Sequence, residues 1–206
     1  MSEQPLPLIC VGGPSASGKT SFCQQLAAAL KPAGINTLVL ACDDYYRTGW
    51  VPDARYGHDT PEAIDSRLLI NELTAARRND LKQLRSYDMV SRSSRWRPIE
   101  GNHQLVLLEG AYGLQVVLQK QPPSLLLYME MPWMLRLLRR LRRDVRDRRR
   151  QPLEVVQQML GPVRSGERDF ILPLKPKATL LIRRQRQQLS DVLSMIRSQI
   201  HSSPCS

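Results

Sequence analysis

An α/β fold, with a parallel five-stranded sheet between layers of helices, is the architecture this sequence predicts. Three observations point to it. Five short apolar runs are bounded by Pro, Gly or polar residues, and amphipathic stretches at helical spacing separate them. The chain has 206 residues, 42% hydrophobic and 24% charged, which is enough for one domain with a substantial core. This composition disfavours disordered, collagen-like and coiled-coil classes. No stretch reaches the roughly 20 apolar residues that span a bilayer, and no basic segment followed by a long apolar one stands at the N-terminus, so neither export nor membrane embedding is expected. Cys10, Cys23, Cys42 and Cys205 form no C-x-x-C pair and have no companion histidines, so a reducing cytoplasm is expected rather than a zinc site or disulfide framework.

The elements follow in order. Leu6 to Val11, between Pro5 and Gly12-Gly13, reads as a buried strand. A glycine-rich turn leads into a helix over Thr20 to Leu30, whose Phe22, Cys23, Leu26 and Leu30 share a face until Pro32 and Gly34 stop it. Thr37 to Ala41 is the second strand and runs directly into Asp43-Asp44-Tyr45-Tyr46. The Gly, Pro and polar residues of Thr48 to Asp59 predict a loop. Thr60 then resembles an N-cap, with Pro61 at the first helical position and Glu62 where the helix dipole favours it, of a helix reaching about Arg78. Leu105 to Leu108, Leu125 to Met129 and Ala178 to Ile182 are the remaining strands, the first of them ending at Glu109-Gly110. An arginine-rich helix from about Pro132 and a shorter one from about Pro152 lie between the last two strands. Gln185 to Ile200 reads as a closing helix and His201 to Ser206 as a frayed end. Residues 1–206 thus read as a single domain, with binding expected at the carboxyl ends of the strands.

Gly13-Pro14-Ser15-Ala16-Ser17-Gly18-Lys19-Thr20 satisfies G-x-x-x-x-G-K-[ST] between a predicted strand and a predicted helix. Gly13 and Gly18 let the backbone curl into a ring of N–H groups around phosphate oxygens, and the helix start adds its dipole. Lys19 reaches the β and γ phosphates, and the Thr20 hydroxyl can ligate Mg²⁺. A chance glycine turn is the alternative, but the strand and helix context favours a nucleoside triphosphate. The segment Gly13, Ser15, Ala16, Ser17, Gly18, Lys19, Thr20 and Ser21 is therefore the expected nucleoside triphosphate site, within a P-loop NTPase-type fold, and the loop alone does not distinguish an ATPase, a GTPase or a small-molecule kinase.

Charge supplies a second signal. Thirty Lys and Arg against 19 Asp and Glu give +11, and +7 of it falls within Arg136 to Arg150, where nine arginines meet only Asp144 and Asp147. Such concentration points to one anion-facing element rather than a uniformly basic surface. With Arg140 at zero and about 100° per residue, Arg136, Arg143 and Arg150 fall near 320°, 300° and 280°. Met134, Leu137, Leu138, Leu141 and Val145 fall at about 60° to 160°. The expectation is a helix that docks by its apolar stripe and offers these arginines to a ligand. Arg139, Arg142, Arg146 and Arg149 lie away from the shared face and read as solvated, pairing with Asp144 and Asp147.

The phosphate loop, Asp43-Asp44-Tyr45-Tyr46, Thr60-Pro61-Glu62-Ala63-Ile64-Asp65, Ser86-Tyr87-Asp88, Leu107-Leu108-Glu109-Gly110 and the 139–158 segment, in this order, resemble the uridine kinase and phosphoribulokinase family of P-loop kinases. The resemblance covers about Leu8 to Ile182. It implies an ATP-dependent, Mg²⁺-assisted phosphorylation of a hydroxyl on a small-molecule acceptor. Asp43, at the end of the second strand, would be the base that takes the hydroxyl proton, although aspartate is also a common helix cap. Glu109 would support Mg²⁺ with Thr20, a structural pair with an arginine being the alternative. Arg140, Arg143, Arg148 and Arg150 would lie in a mobile lid over about residues 136–160, with Arg140 and Arg143 joining Lys19 and Asp43 in catalysis. Tyr46, Asp59, Tyr87 and Gln158 would line the acceptor pocket. The sequence departs from uridine kinases at Tyr87-Asp88-Met89 and Arg92, where that pattern has a phenylalanine and a histidine, and its 47–55 loop is shorter. Arg92 and Arg95 suit a more anionic acceptor, such as a sugar phosphate or carboxylate, or are solvated loop charges. The competing reading is a P-loop ATPase whose arginine helix grips nucleic acid, which the scarcity of interleaved aromatics disfavours. A homo-oligomer is compatible with either.

Overall fold

The computed structural model describes residues 4–99 and 102–201. Its main sheet contains β1 (Leu8–Gly12), β2 (Thr37–Ala41), β5 (Leu105–Gly110), β6 (Leu125–Met129) and β7 (Leu180–Ile182), in the parallel order β2-β5-β1-β6-β7. Side chains alternate across each strand, so Leu8 and Cys10 enter the core on one face while Ile9 and Val11 enter the core on the other. Burial on both faces is why these strands are continuous apolar runs. On one side lie α1 (Lys19–Leu30), through Phe22, Leu26 and Leu30, and α7 (Gln185–His201), through Val192 and Ile196. On the other lie α2 (Ser66–Arg77), through Leu69 and Leu73, and α3 (Leu114–Lys120), through Leu114 and Val117. The five expected sheet strands are all present, with shifts of one to two residues at their ends.

The helix expected from Thr60 begins later. Pro61–Ala63 forms a single 3₁₀ turn, Ile64 is extended, and Asp65 then caps α2 by accepting a hydrogen bond from Leu68 N at 3.0 Å. A two-stranded antiparallel ribbon, β3 (Gln83–Asp88) and β4 (Ser93–Pro98), was not anticipated, nor was α3. After β6 come α4 (Trp133–Arg148), α5 (Pro152–Leu160) and the short α6 (Pro162–Gly166). Cys10, Cys23 and Cys42 are buried free thiols, while Cys205 and the end expected to fray beyond His201 lie outside the described residues.

The orientation of α4 is the reverse of the expected one. Arg136, Arg140 and Asp144 are its buried residues, whereas Met134 and Leu138 are 60% and 58% exposed. The reason is charge pairing. Fully buried Asp144 collects Arg140, Arg143, Arg148 and Arg150, and Glu167 takes Arg136, so the inward arginines have partners that hydrophobic periodicity does not register. Asp144 thus serves the inward arginines, not the solvated ones, and Asp147 alone faces an outer arginine, Arg146, at 4.0 Å.

Candidate active site

Sheet register sets the first three functional groups. Glu109 of β5 is level with Ala41 of β2 on one side and with Val11 of β1 on the other, so it stands beside the chain entering both the phosphate loop and the Asp43 turn. Asp43 follows two residues beyond Ala41, in a 3₁₀ turn (Cys42–Tyr45). The phosphate loop begins at Gly13, where φ is +140° and a Cβ would stand 2.6 Å from the Met129 carbonyl, so the loop can cross β6 only with glycine there.

The loop is built as a phosphate cradle. The Lys19 ammonium reaches back to the Pro14 carbonyl at 3.0 Å, and Gln185, the first residue of α7, donates to the Ser17 carbonyl at 3.0 Å. The buried Ser17 hydroxyl has no partner among the described residues. Thr20 Oγ1 donates to Glu109 Oε1 at 2.6 Å. Burial pushes the Glu109 carboxyl above its ordinary pKa, with the Lys19 ammonium pulling it back. A hydroxyl and a carboxylate facing one another beside a ring of amides fit a hard divalent cation that completes its shell with water and phosphate oxygens. Ser15, Ala16, Gly18, Lys19, Thr20, Ser21, Asp43, Glu109, Arg139, Arg143 and Gln185 line a groove of about 430 Å³.

A second cavity, about 390 Å³, opens beside the first. Its walls include Asp43, Tyr46, Asp59, Tyr87, Arg92 and Gln158, with Arg140, Arg143, Arg148 and Arg150 of the α4 to α5 region. Tyr46 and Tyr87 sit with ring centroids 5.9 Å apart, and Asp44 is taken up in holding the ribbon here, accepting from Tyr87 N at 2.8 Å. Arg140 donates to Ser15 Oγ at 3.0 Å and to Gln158 at 3.3 Å, and Arg150 donates to the same Gln158 oxygen at 2.9 Å. Burial lifts the Asp59 pKa to about 6, partly offset by Arg140. Ser15, Asp43, Ala111 and Arg143 line both chambers.

Each residue expected at the acceptor site is therefore in one cavity, except that Arg95 stands apart on β4, near Asp88. Sequence reasoning overlooked His58, Tyr112 and Gln185, and left Arg139 on the solvated face. His58 and Tyr112 adjoin predicted site positions, and Gln185 follows a strand end, where ligands collect. Of the arginines expected to face a ligand, Arg140, Arg143 and Arg150 do meet the cavity, but from the side that Asp144 pairs, which favours phosphate handling over a grip on nucleic acid; Arg136 lines neither chamber and is taken by Glu167.

The comparisons agree with this geometry. The model of the Phosphoribulokinase / Uridine kinase family matches residues 8–191. The uridine kinase of Staphylococcus carnosus (strain TM300) is 29% identical over 180 residues, covering 85% of this chain and 86% of that protein. The uridine kinase of Listeria monocytogenes serotype 4a (strain HCC23) is 28% identical, with 88% of each chain covered. The fold is that of the phosphoribulokinase from Rhodobacter spheroides, with a TM-score of 0.57 at 16% identity over 84% of this chain and 68% of that one. With a cradle for phosphates, a carboxylate shared by two chambers and a family match across most of its length, the chain belongs to the phosphoribulokinase and uridine kinase family of ATP-dependent small-molecule kinases.

Proposed function

We propose that this protein transfers the γ-phosphoryl group of ATP to a hydroxyl of a small metabolite, a nucleoside or a compound such as a sugar phosphate. The observation that carries the reading is that Asp43 and Arg143 line both the phosphate groove and the neighbouring cavity. A carboxylate at that seam can accept the acceptor's hydroxyl proton as its oxygen bonds to phosphorus and the bond to the β-phosphate oxygen breaks. The backbone of residues 13–21 and the Lys19 ammonium bind the triphosphate. Arg140 and Arg143 neutralise charge on the transferring group, and Arg148 and Arg150 assist in holding the phosphates. Tyr46, Asp59, Tyr87, Arg92 and Gln158 orient the acceptor. Thr20 and Glu109 would hold Mg²⁺, which supplies charge neutralisation at the phosphate oxygens.

Residues 1–206 act in this reading as one kinase domain, with about 136–160 as the lid. A cytoplasmic setting, where ATP and reduced thiols coexist, suits the three buried free cysteines. Among the described residues no helix is long and apolar enough to cross a membrane.

The test is a panel of nucleosides, sugar phosphates and hydroxy acids scored for stimulated ADP release, repeated with Asp43→Asn. The variant is expected to lose about 10²- to 10⁴-fold in acceptor-dependent kcat while binding ATP with unchanged affinity. Undiminished turnover would remove Asp43 from the chemistry.

A further inference from the structure

The chemical class of the acceptor can be argued from the part of the cavity that the phosphate groove does not share. Met89, Arg92, His58 and Arg150 line the cavity alone. The cavity wall carries five guanidinium groups, Arg92, Arg140, Arg143, Arg148 and Arg150, against two carboxylates, Asp43 and Asp59. Four of these cations are engaged by Asp144. Arg92 has no carboxylate partner among the described residues.

The backbone turn that carries Arg92 is well defined. It ends the turn between β3 and β4, which Asp88 closes by accepting from Val90 N at 2.7 Å and Ser91 N at 3.3 Å. Its φ is +54°, a left-handed conformation that a Cβ disfavours and that glycine or asparagine adopts more readily. Arg92 is exposed and lines the cavity from this turn. Beside it, burial and then the positive charges of Arg92 and Arg150 lower the His58 pKa, so both arginines act on the same corner. The apolar Met89 and the paired tyrosine rings bring no carboxylate to Arg92, whereas Arg150 already has Asp144 at 3.4 Å.

We infer that the acceptor carries an anionic group, a phosphate or a carboxylate, which seats against Arg92 and Arg150 while its reacting hydroxyl reaches Asp43. This rests on the kinase reading. A guanidinium fork matches the paired oxygens of either anion. A neutral base in the same place would cover Arg92 without returning a countercharge.

Calorimetric titration of the full chain, with Mg²⁺ and a non-hydrolysable ATP analogue, tests the seat directly. The probes are ribose 5-phosphate against ribose, gluconate against glucose, and uridine, each also assayed for ADP release with ATP. At least one anion is expected to bind about 10- to 100-fold more tightly than its neutral counterpart. Arg92→Gln should erase that margin, and Arg92→Lys should retain part of it, both with melting temperatures near the parent's. The pair that shows the margin tells phosphate from carboxylate. Equal binding of neutral and anionic probes, binding of none, or a margin untouched in Arg92→Gln would overturn the inference, and ADP release in those cases leaves the kinase reading standing. An Arg92-dependent anion margin with no ADP release from any probe would sustain the seat and count against the kinase reading.

Discussion

Asp59 is the residue whose chemistry most directly links stability to pH. Its pKa of about 6 lies above the ordinary 3.8, chiefly because the carboxyl is desolvated. Between those values the folded protein holds the proton that the unfolded chain releases. The stability contributed by Asp59 is thus complete below the unfolded value and lost as pH rises through about 6. Asp59→Asn should melt higher than the parent near neutral pH, by about 2–4 °C for each kcal/mol regained, and scanning calorimetry should show that advantage shrinking toward pH ~4. In the proposed acceptor site ionised Asp59 would accept hydrogen bonds from acceptor hydroxyls, so the parent's acceptor KM should fall as pH rises through that range and the variant's should not. A KM for the parent that ignores pH would remove Asp59 from acceptor binding.

At the scale of elements, one carboxylate, Asp144, gathers four arginines along α4 and just beyond it, while Glu167 takes Arg136. Burial alone would raise the Asp144 pKa, but Arg143, Arg148 and Arg140 overcome it and hold it below the ordinary carboxylate value. The stability this contributes is present above that ordinary value and lost as pH falls through the lowered one. Asp144→Asn, close in shape but uncharged, leaves four arginines facing one another, and should cost about 3–5 kcal/mol, read as a drop in Tm of about 6–20 °C. An unchanged melt would mean that α4 is held by other contacts. What was legible in the chain follows the same physics. The sheet strands are apolar because both their faces are covered, and the phosphate loop is a contiguous motif. The β3 and β4 ribbon is polar because much of it meets solvent; Leu84 and Arg85 are its buried residues, and it is fixed by Asp44 from a distant turn. The reversal of α4 was illegible because amphipathic reading assumes that the apolar side goes inward. Here Asp144 and Glu167, one on the helix and one far along the chain, make the arginine side the buried one. Proximity of Asp59 to Gly166 was equally hidden: a Cβ on Gly166 would lie 2.1 Å from the Asp59 carbonyl oxygen, a close approach between segments distant in sequence.

For the molecule as a whole, the junction between α4 and α5 is where closure of the proposed lid can be tested. Arg149 ends α4 at a φ of +54° and is exposed, next to Arg148 and Arg150. Limited trypsin digestion should nick this junction first, and ATP with Mg²⁺ should lengthen the lifetime of the intact chain several-fold if residues 136–160 close over the phosphates. Cleavage at an unaltered rate, mapped by mass spectrometry, would show that the segment does not close on nucleotide. The common wall formed by Ser15, Asp43, Ala111 and Arg143 carries one more consequence. Two ligands that share four residues do not bind independently. Whatever factor the donor imposes on the acceptor's affinity, the acceptor must impose on the donor's, because the two binding orders enclose one thermodynamic cycle.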